Sequence, residues 1–163
     1  MARDRKMTVV TRRIEATPKV VFEQLSDPWL YAAWVVGAAH IRGVDGQWPE
    51  KGAKLLHRVG PWPVSIDDET EILEAVPDSR LILAARGWPL GEARVELELR
   101  AVGDGATEVS MAEAPVSGPG GALDNPLVRA WLRARNKESL SRLADIAEKR
   151  PTIMTTARPL DQG

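Results

Sequence analysis

The chain has 163 residues, 22 Lys and Arg against 23 Asp and Glu, a net charge of −1 and 44% hydrophobic residues. Such a composition suits one packed domain and not a disordered chain, and the near-balanced charge removes any general attraction to nucleic acid or anionic lipid. There is no cysteine, which excludes thiol nucleophiles, disulfides and Cys-based zinc or iron–sulfur sites.

Residues 1–6 read as a flexible N-terminus. The stretch that follows is too short and too polar for a signal peptide, and no long apolar run occurs later, so a cytoplasmic location without stable membrane insertion is expected. MTVVTRRIEA, residues 7–16, reads as a first strand. It stops at Thr17-Pro18, where Thr17 suits an N-cap and Pro18 the first helical position, whose N–H would be unpaired in any case. Asp27-Pro28 repeats the signal, so a second short helix carries Trp29, Leu30, Tyr31 and Trp34.

From residue 38 to residue 115, turn signals at Gly46, Pro49 to Gly52, Gly60-Pro61, Pro77-Asp78-Ser79, Pro89-Leu90-Gly91 and Gly103-Asp104-Gly105 cut the chain into strands of an antiparallel meander. The clearest is EARVELELRA, in which Ala93, Val95, Leu97, Leu99 and Ala101 alternate with charged residues, one face dry and one wet. Asn125-Pro126 starts a helix of about 24 residues that ends in Lys149-Arg150 before Pro151; the terminal cations complement the helix dipole. Val128, Trp131, Leu132, Leu143, Ile146 and Ala147 supply its apolar stripe, interrupted near Arg135-Asn136. Residues 151–163 show no period and read as a flexible tail, leaving 7–150 as the domain.

Strand parity selects the polar groups that share an apolar face. In TEVSMAEAP, Glu113 falls on the face of Val109 and Met111, where a carboxylate must find a hydrogen-bond partner, shift its pKa upward or bind a ligand hydroxyl. An exposed strand-end carboxylate beside Pro115 is the structural alternative. His57 shares parity with Leu55 and Val59 and is a candidate for orienting a ligand or moving a proton; a satisfied half-buried histidine is its alternative. Arg86, if inward, is the cation for Glu113 or for a ligand carboxylate. Asp68 takes the cavity side or a bulge, while Asp67, Glu69 and Glu71 form a solvated outer row.

Six Trp stand against one Tyr and one Phe. An indole, apolar with one N–H donor, suits pocket walls and rims as well as core. Trp34, Trp62, Trp88 and Trp131 are the wall and rim candidates, Trp62 as a lid on the stiff Pro61-Trp62-Pro63 corner, with Met111 as a lining residue. Arg129, Arg133 and Lys137 form a small basic patch or a solvent-facing stripe. Ser110, Ser139 and Ser141 have no readable His/Asp constellation, SGPGG lacks the tail of a phosphate loop and reads as an entrance loop, and two histidines alone suggest no metal. No cofactor is expected.

The order strand, two small helices, about six strands and long helix resembles the START-like superfamily, also described as the SRPBCC or polyketide cyclase/dehydrase and lipid-transport group. The resemblance rests on ATPKVVFEQLSDPWLYAAW, GPWPVSIDDETEILEAVPDSRLIL, GEARVELEL and NPLVRAWLRARNKESLSRLADIAE, and covers about residues 7–150. It implies an α+β helix-grip fold: a curved antiparallel sheet of about seven strands around a long C-terminal helix, enclosing an apolar cavity. Three functions follow as expectations. The first is binding or transport of a small hydrophobic ligand, such as a lipid, an aromatic or a polyketide-like molecule. The others are a cyclase/dehydratase using Glu113 and His57 as acid and base with Arg86 orienting the substrate, and a protein-interaction module of the chaperone-regulator type. A monomer or weak homodimer is expected.

Overall fold

Each helical segment begins at a polar residue followed by proline. In a computed structural model of the chain, which describes residues 7–59, 66–87, 91–117 and 125–149, Thr17 Oγ1 accepts from the Val20 N–H at 3.4 Å and starts α1 (Pro18–Leu25). Asp27 Oδ1 accepts from Trp29 N–H at 2.9 Å and starts a 3-10 turn (Pro28–Leu30) that runs into the single-turn α2 (Tyr31–Trp34). Asn125 Oδ1 accepts from Leu127 N–H at 2.9 Å at the start of the 24-residue α3 (Pro126–Lys149). These side chains satisfy amide hydrogens that the first turn leaves unpaired.

Seven strands make one antiparallel sheet: β1 (Thr8–Ile14), β2 (Ala38–Asp45), β3 (Lys54–Val59), β4 (Ile66–Val76), β5 (Arg80–Gly87), β6 (Gly91–Val102) and β7 (Ala106–Pro115). Their order is β1-β7-β6-β5-β4-β3-β2, so β2 to β7 form the expected meander and β1 closes it by pairing along β7. Register shifts in β2 and between Ile72 and Glu74 of β4 add the local twist that helps the sheet curve. Asp78 and Gly103 take positive φ at the β4–β5 and β6–β7 turns, where Gly103 has no Cβ to clash.

The two-residue period holds where the sequence alternates. Val95, Leu97 and Leu99 of β6 are buried, as are Val109, Met111 and Glu113 of β7 and Leu55 and His57 of β3. Ala101, expected on the dry face, is exposed near the end of its strand. In β5 the consecutive Leu81, Ile82 and Leu83 are all buried, so its apolar run has no single inward face.

Helix α3 packs on β1, α1 and α2. Its buried residues are Asn136, Ser139, Leu140, Leu143, Ala144 and Ala147, spaced 3-1-3-1-3 so that each recurs three or four positions on along one helical face. Burying Leu140 and Leu143 contributes roughly 1.5–3 kcal/mol each. Ser139 earns its buried place by accepting from the Val36 N–H at 3.1 Å, which ties the segment after α2 to the long helix. Trp131, counted in the apolar stripe from the sequence, is 54% exposed instead. The Pro61-Trp62-Pro63 corner, Trp88, most of SGPGG and the two terminal segments lie outside the described residues.

Candidate functional site

Along the inner face of the sheet, Ala85 of β5 pairs directly with Ala93 of β6. Two small side chains side by side leave space that larger ones would fill, and one helix cannot cover the whole concave face. The result is a cavity of about 190 Å³ beneath α2 and the first half of α3. Leu83, Val95 and Met111 form its sheet wall, Trp34 and Val35 one side, and Val128 and Leu132 its helical roof. The helical face that packs as core from Asn136 onward thus continues backward as the roof of a hollow.

Two polar stations interrupt these apolar walls. At the first, Thr70 Oγ1 lies 3.1 Å from Tyr31 Oη and 3.0 Å from His57 Nε2. The His57 ring stacks on Tyr31 with centroids 5.6 Å apart and planes at 29°. Tyr31 also meets Trp34 and Trp48 edge to face, and Trp48 is fixed by donating to the Leu25 carbonyl at 3.1 Å. Burial pushes the Tyr31 phenol up to about 12. Burial pulls His57 below its ordinary value, against an upward pull from Asp68, so His57 is neutral at pH 7.

At the second station Glu113 Oε2 accepts from Arg135 Nη2 and, at 2.8 Å, from Asn136 Nδ2. Arg135 also donates from Nε and Nη2 to Asn136 Oδ1 at 3.2 and 3.1 Å, and its guanidinium lies 5.4 Å from the Trp131 ring centroid. A carboxylate in an apolar wall is expensive without such partners; a fork-shaped cation and an amide supply them.

The cavity thus brings together Trp34, His57, Met111, Glu113 and Trp131 from the sequence-based candidates. Arg86 also lines it but is not the cation for Glu113. Its guanidinium turns outward to Glu69 at 2.5 Å and Glu92 at 3.4 Å and is 53% exposed, because β4 and β6 present carboxylates on that side. Asp68 is not among the lining residues; it stands directly opposite His57 on the neighbouring strand, on the same face. Asp67 and Glu69 of the outer row are paired, Asp67 with Arg42 and Arg58, and Glu69 with Lys54 and Arg86. Arg129, Arg133 and Lys137 gather on a different patch of α3. Sequence reasoning missed Tyr31, Thr70, Arg135 and Asn136 as site residues; the break in the α3 stripe was the signal for the last two.

The model of one protein family, polyketide cyclase / dehydrase and lipid transport, matches residues 6–148. The chain belongs to this family. Its helix-grip architecture is that of solved structures. Protein CV1439 from Chromobacterium violaceum is 20% identical with a TM-score of 0.64, over 89% of this chain and 99% of that one. SA2116 from Staphylococcus aureus, a protein of unknown function, is 12% identical with a TM-score of 0.68, over 89% and 96%. DynU16, from the dynemicin biosynthetic locus, is 23% identical with a TM-score of 0.63, and 88% of this family member covers 47% of it. At these identities the likeness concerns the fold. No curated protein matches the chain. Among the described residues of this family member no group of three or more His, Asp or Glu residues could hold a metal, and no helix is long and apolar enough to cross a membrane.

Proposed function

We propose that the protein binds a compact, uncharged, mainly apolar molecule in the cavity between the sheet and α3. The observation that carries this reading is the cavity itself: about 190 Å³ with walls of Leu83, Val95, Met111, Trp34, Val128 and Leu132. An apolar hollow of roughly 150 Å³ admits a benzene ring, whereas sites for drug-sized ligands run from roughly 300 to 1,000 Å³. One or two rings suit this space better than a whole lipid or an extended polyketide. Arg135 is already paired with Glu113 and Arg86 with Glu69 and Glu92, so among the described residues the walls hold no unbalanced cation to draw an anion. Burial of ligand surface drives binding, at roughly 25 cal/mol per Å² before the costs of association.

Acid–base catalysis by Glu113 and His57 is the second reading, supported by both lining one cavity. Three strands, β6, β5 and β4, separate them on the sheet, an arrangement suited to two ends of a ligand rather than to one reacting atom. The interaction-module reading calls for a cavity filled by side chains, and nothing in the site favours it.

Titration of tryptophan fluorescence with naphthalene derivatives and with palmitate tests the binding reading, since Trp34 and Trp131 both line the cavity. Saturable quenching by the two-ring probes, with weaker or no response to palmitate, is expected. Absence of saturable binding by any small aromatic probe in well-folded protein would remove the reading.

A further inference from the structure

Hydrogen-bond accounting at the first polar station fixes more than its shape. Thr70 has one hydroxyl hydrogen, and its Oγ1 has two polar contacts, Tyr31 Oη and His57 Nε2. His57 is 4% exposed, and its Nδ1 is buried without a hydrogen-bond partner. Neutral imidazole carries one hydrogen, on either nitrogen. With that hydrogen on Nε2, His57 donates to Thr70 and Thr70 to Tyr31. The Tyr31 hydrogen is then displaced from the chain, and a bare Nδ1 lone pair shares its face with a carboxylate. With the hydrogen on Nδ1, Tyr31 donates to Thr70, Thr70 donates to Nε2, and both hydroxyl hydrogens are used.

The residue that decides between the two is Asp68. It is the cross-strand partner of His57, residues so paired lie on one face with Cβ atoms roughly 4.5–5.5 Å apart, and its negative charge raises the proton affinity of the ring. Its Oδ1 is fixed by accepting from the Glu69 N–H at 2.8 Å. A carboxylate on the same face of the sheet, with Nε2 already turned to Thr70, favours N–H over a lone pair at Nδ1.

We propose that Asp68 is a positioning residue that keeps the hydrogen of neutral His57 on Nδ1, so that Tyr31 and Thr70 offer the cavity only acceptor oxygens. A ligand matched to that wall brings a hydroxyl or N–H group to Tyr31 and is preferred over its ether counterpart. The second station is complementary: the two hydrogens on Arg135 Nη1 have no partner among the described residues and suit an acceptor on the same ligand. The ligand part of this inference rests on the binding function proposed above; the tautomer part does not.

Two measurements test it. Imidazole nitrogen NMR on a His40→Asn variant, which leaves His57 as the sole histidine, is expected to show Nδ1 protonated and Nε2 as an acceptor. Adding Asp68→Asn should bring in the other tautomer. Protonated Nε2 with Asp68 intact, or a tautomer indifferent to Asp68→Asn, overturns the assignment. The second compares 2-naphthol with 2-methoxynaphthalene. A preference of about tenfold for the naphthol, the worth of one net hydrogen bond, is expected, and Tyr31→Phe should abolish it. Equal affinities, or a preference that survives Tyr31→Phe, overturn the ligand class. If neither naphthalene binds, the binding function falls and takes the ligand class with it, while the tautomer still decides the role of Asp68.

Discussion

Arg135 on α3 pairs with Glu113 on β7 while its guanidinium stacks 5.4 Å from the ring centroid of Trp131. The pair fastens the roof of the cavity to its sheet wall. The Glu113 side chain is only 5% exposed and that of Arg135 24%, so Arg135→Met strands a carboxylate among apolar groups with Asn136 as its remaining partner. Urea denaturation should show a loss of about 2 kcal/mol, below the 3–5 typical of fully buried pairs. Glu113→Gln combined with Arg135→Met should recover most of it. Equal losses in the single and double variants would mean that the pair does not fasten the roof.

Protonation of His57 should destabilise the fold. Burial lowers its folded pKa below the ordinary 6.5, so the unfolded chain takes up the proton first as pH falls. The stability held by neutral His57 is full above pH 6.5 and is lost as pH falls from there through the lower folded value. His57→Gln should flatten this limb between about pH 7 and 5 in denaturant titrations; an unchanged limb would assign the acid sensitivity elsewhere.

Tyr31 is the single tyrosine of the chain, so phenolate absorbance reports it alone. Its pKa is raised from 10.0 to about 12, and the raised value of an acid reverses the sign found for His57. Its contribution is complete below pH 10 and is lost as pH rises through 12. Absorbance should appear near pH 12 or together with alkaline unfolding, and in urea near pH 10. A native transition near pH 10 would show that the hydroxyl is not buried.

Trp131 lines the cavity yet is 54% exposed. Removing it costs little core packing and a cation–π contact of about 0.5–1 kcal/mol. Trp131→Ala should therefore lower stability by about 1 kcal/mol or less while raising the Kd for an aromatic probe several-fold. A large loss of stability with unchanged Kd would make Trp131 a structural residue.

The fold was largely legible because its signals are local. Thr17-Pro18, Asp27-Pro28 and Asn125-Pro126 each start a helical segment, and strict alternation in β6 and β7 placed Val95, Leu97, Met111 and Glu113 inward. The partner of Glu113 was not legible, because it depends on how α3 is rotated against the sheet. Arg135 and Asn136 read as a gap in the apolar stripe, whereas Asn136 is fully buried and continues the phase of Leu140 and Leu143. A polar break on the inward face of a helix opposite a buried carboxylate is itself a sign of pairing. Arg86 could not be oriented because β5 is apolar on both faces, and the carboxylates that hold it outward belong to β4 and β6. The link that Thr70 makes between Tyr31 and His57 joins α2 to two strands and leaves no local pattern.

The proposed function requires the hollow over Ala85 and Ala93 to be a binding site. Ala93→Phe would fill it from the sheet side without disturbing either polar station. The decisive experiment is native mass spectrometry of wild-type and Ala93→Phe protein, each purified from its own host. Wild-type protein is expected to carry a compact, uncharged organic molecule and the folded variant to lack it. Wild-type protein that emerges empty, or a variant that retains the same molecule, would contradict the proposed function.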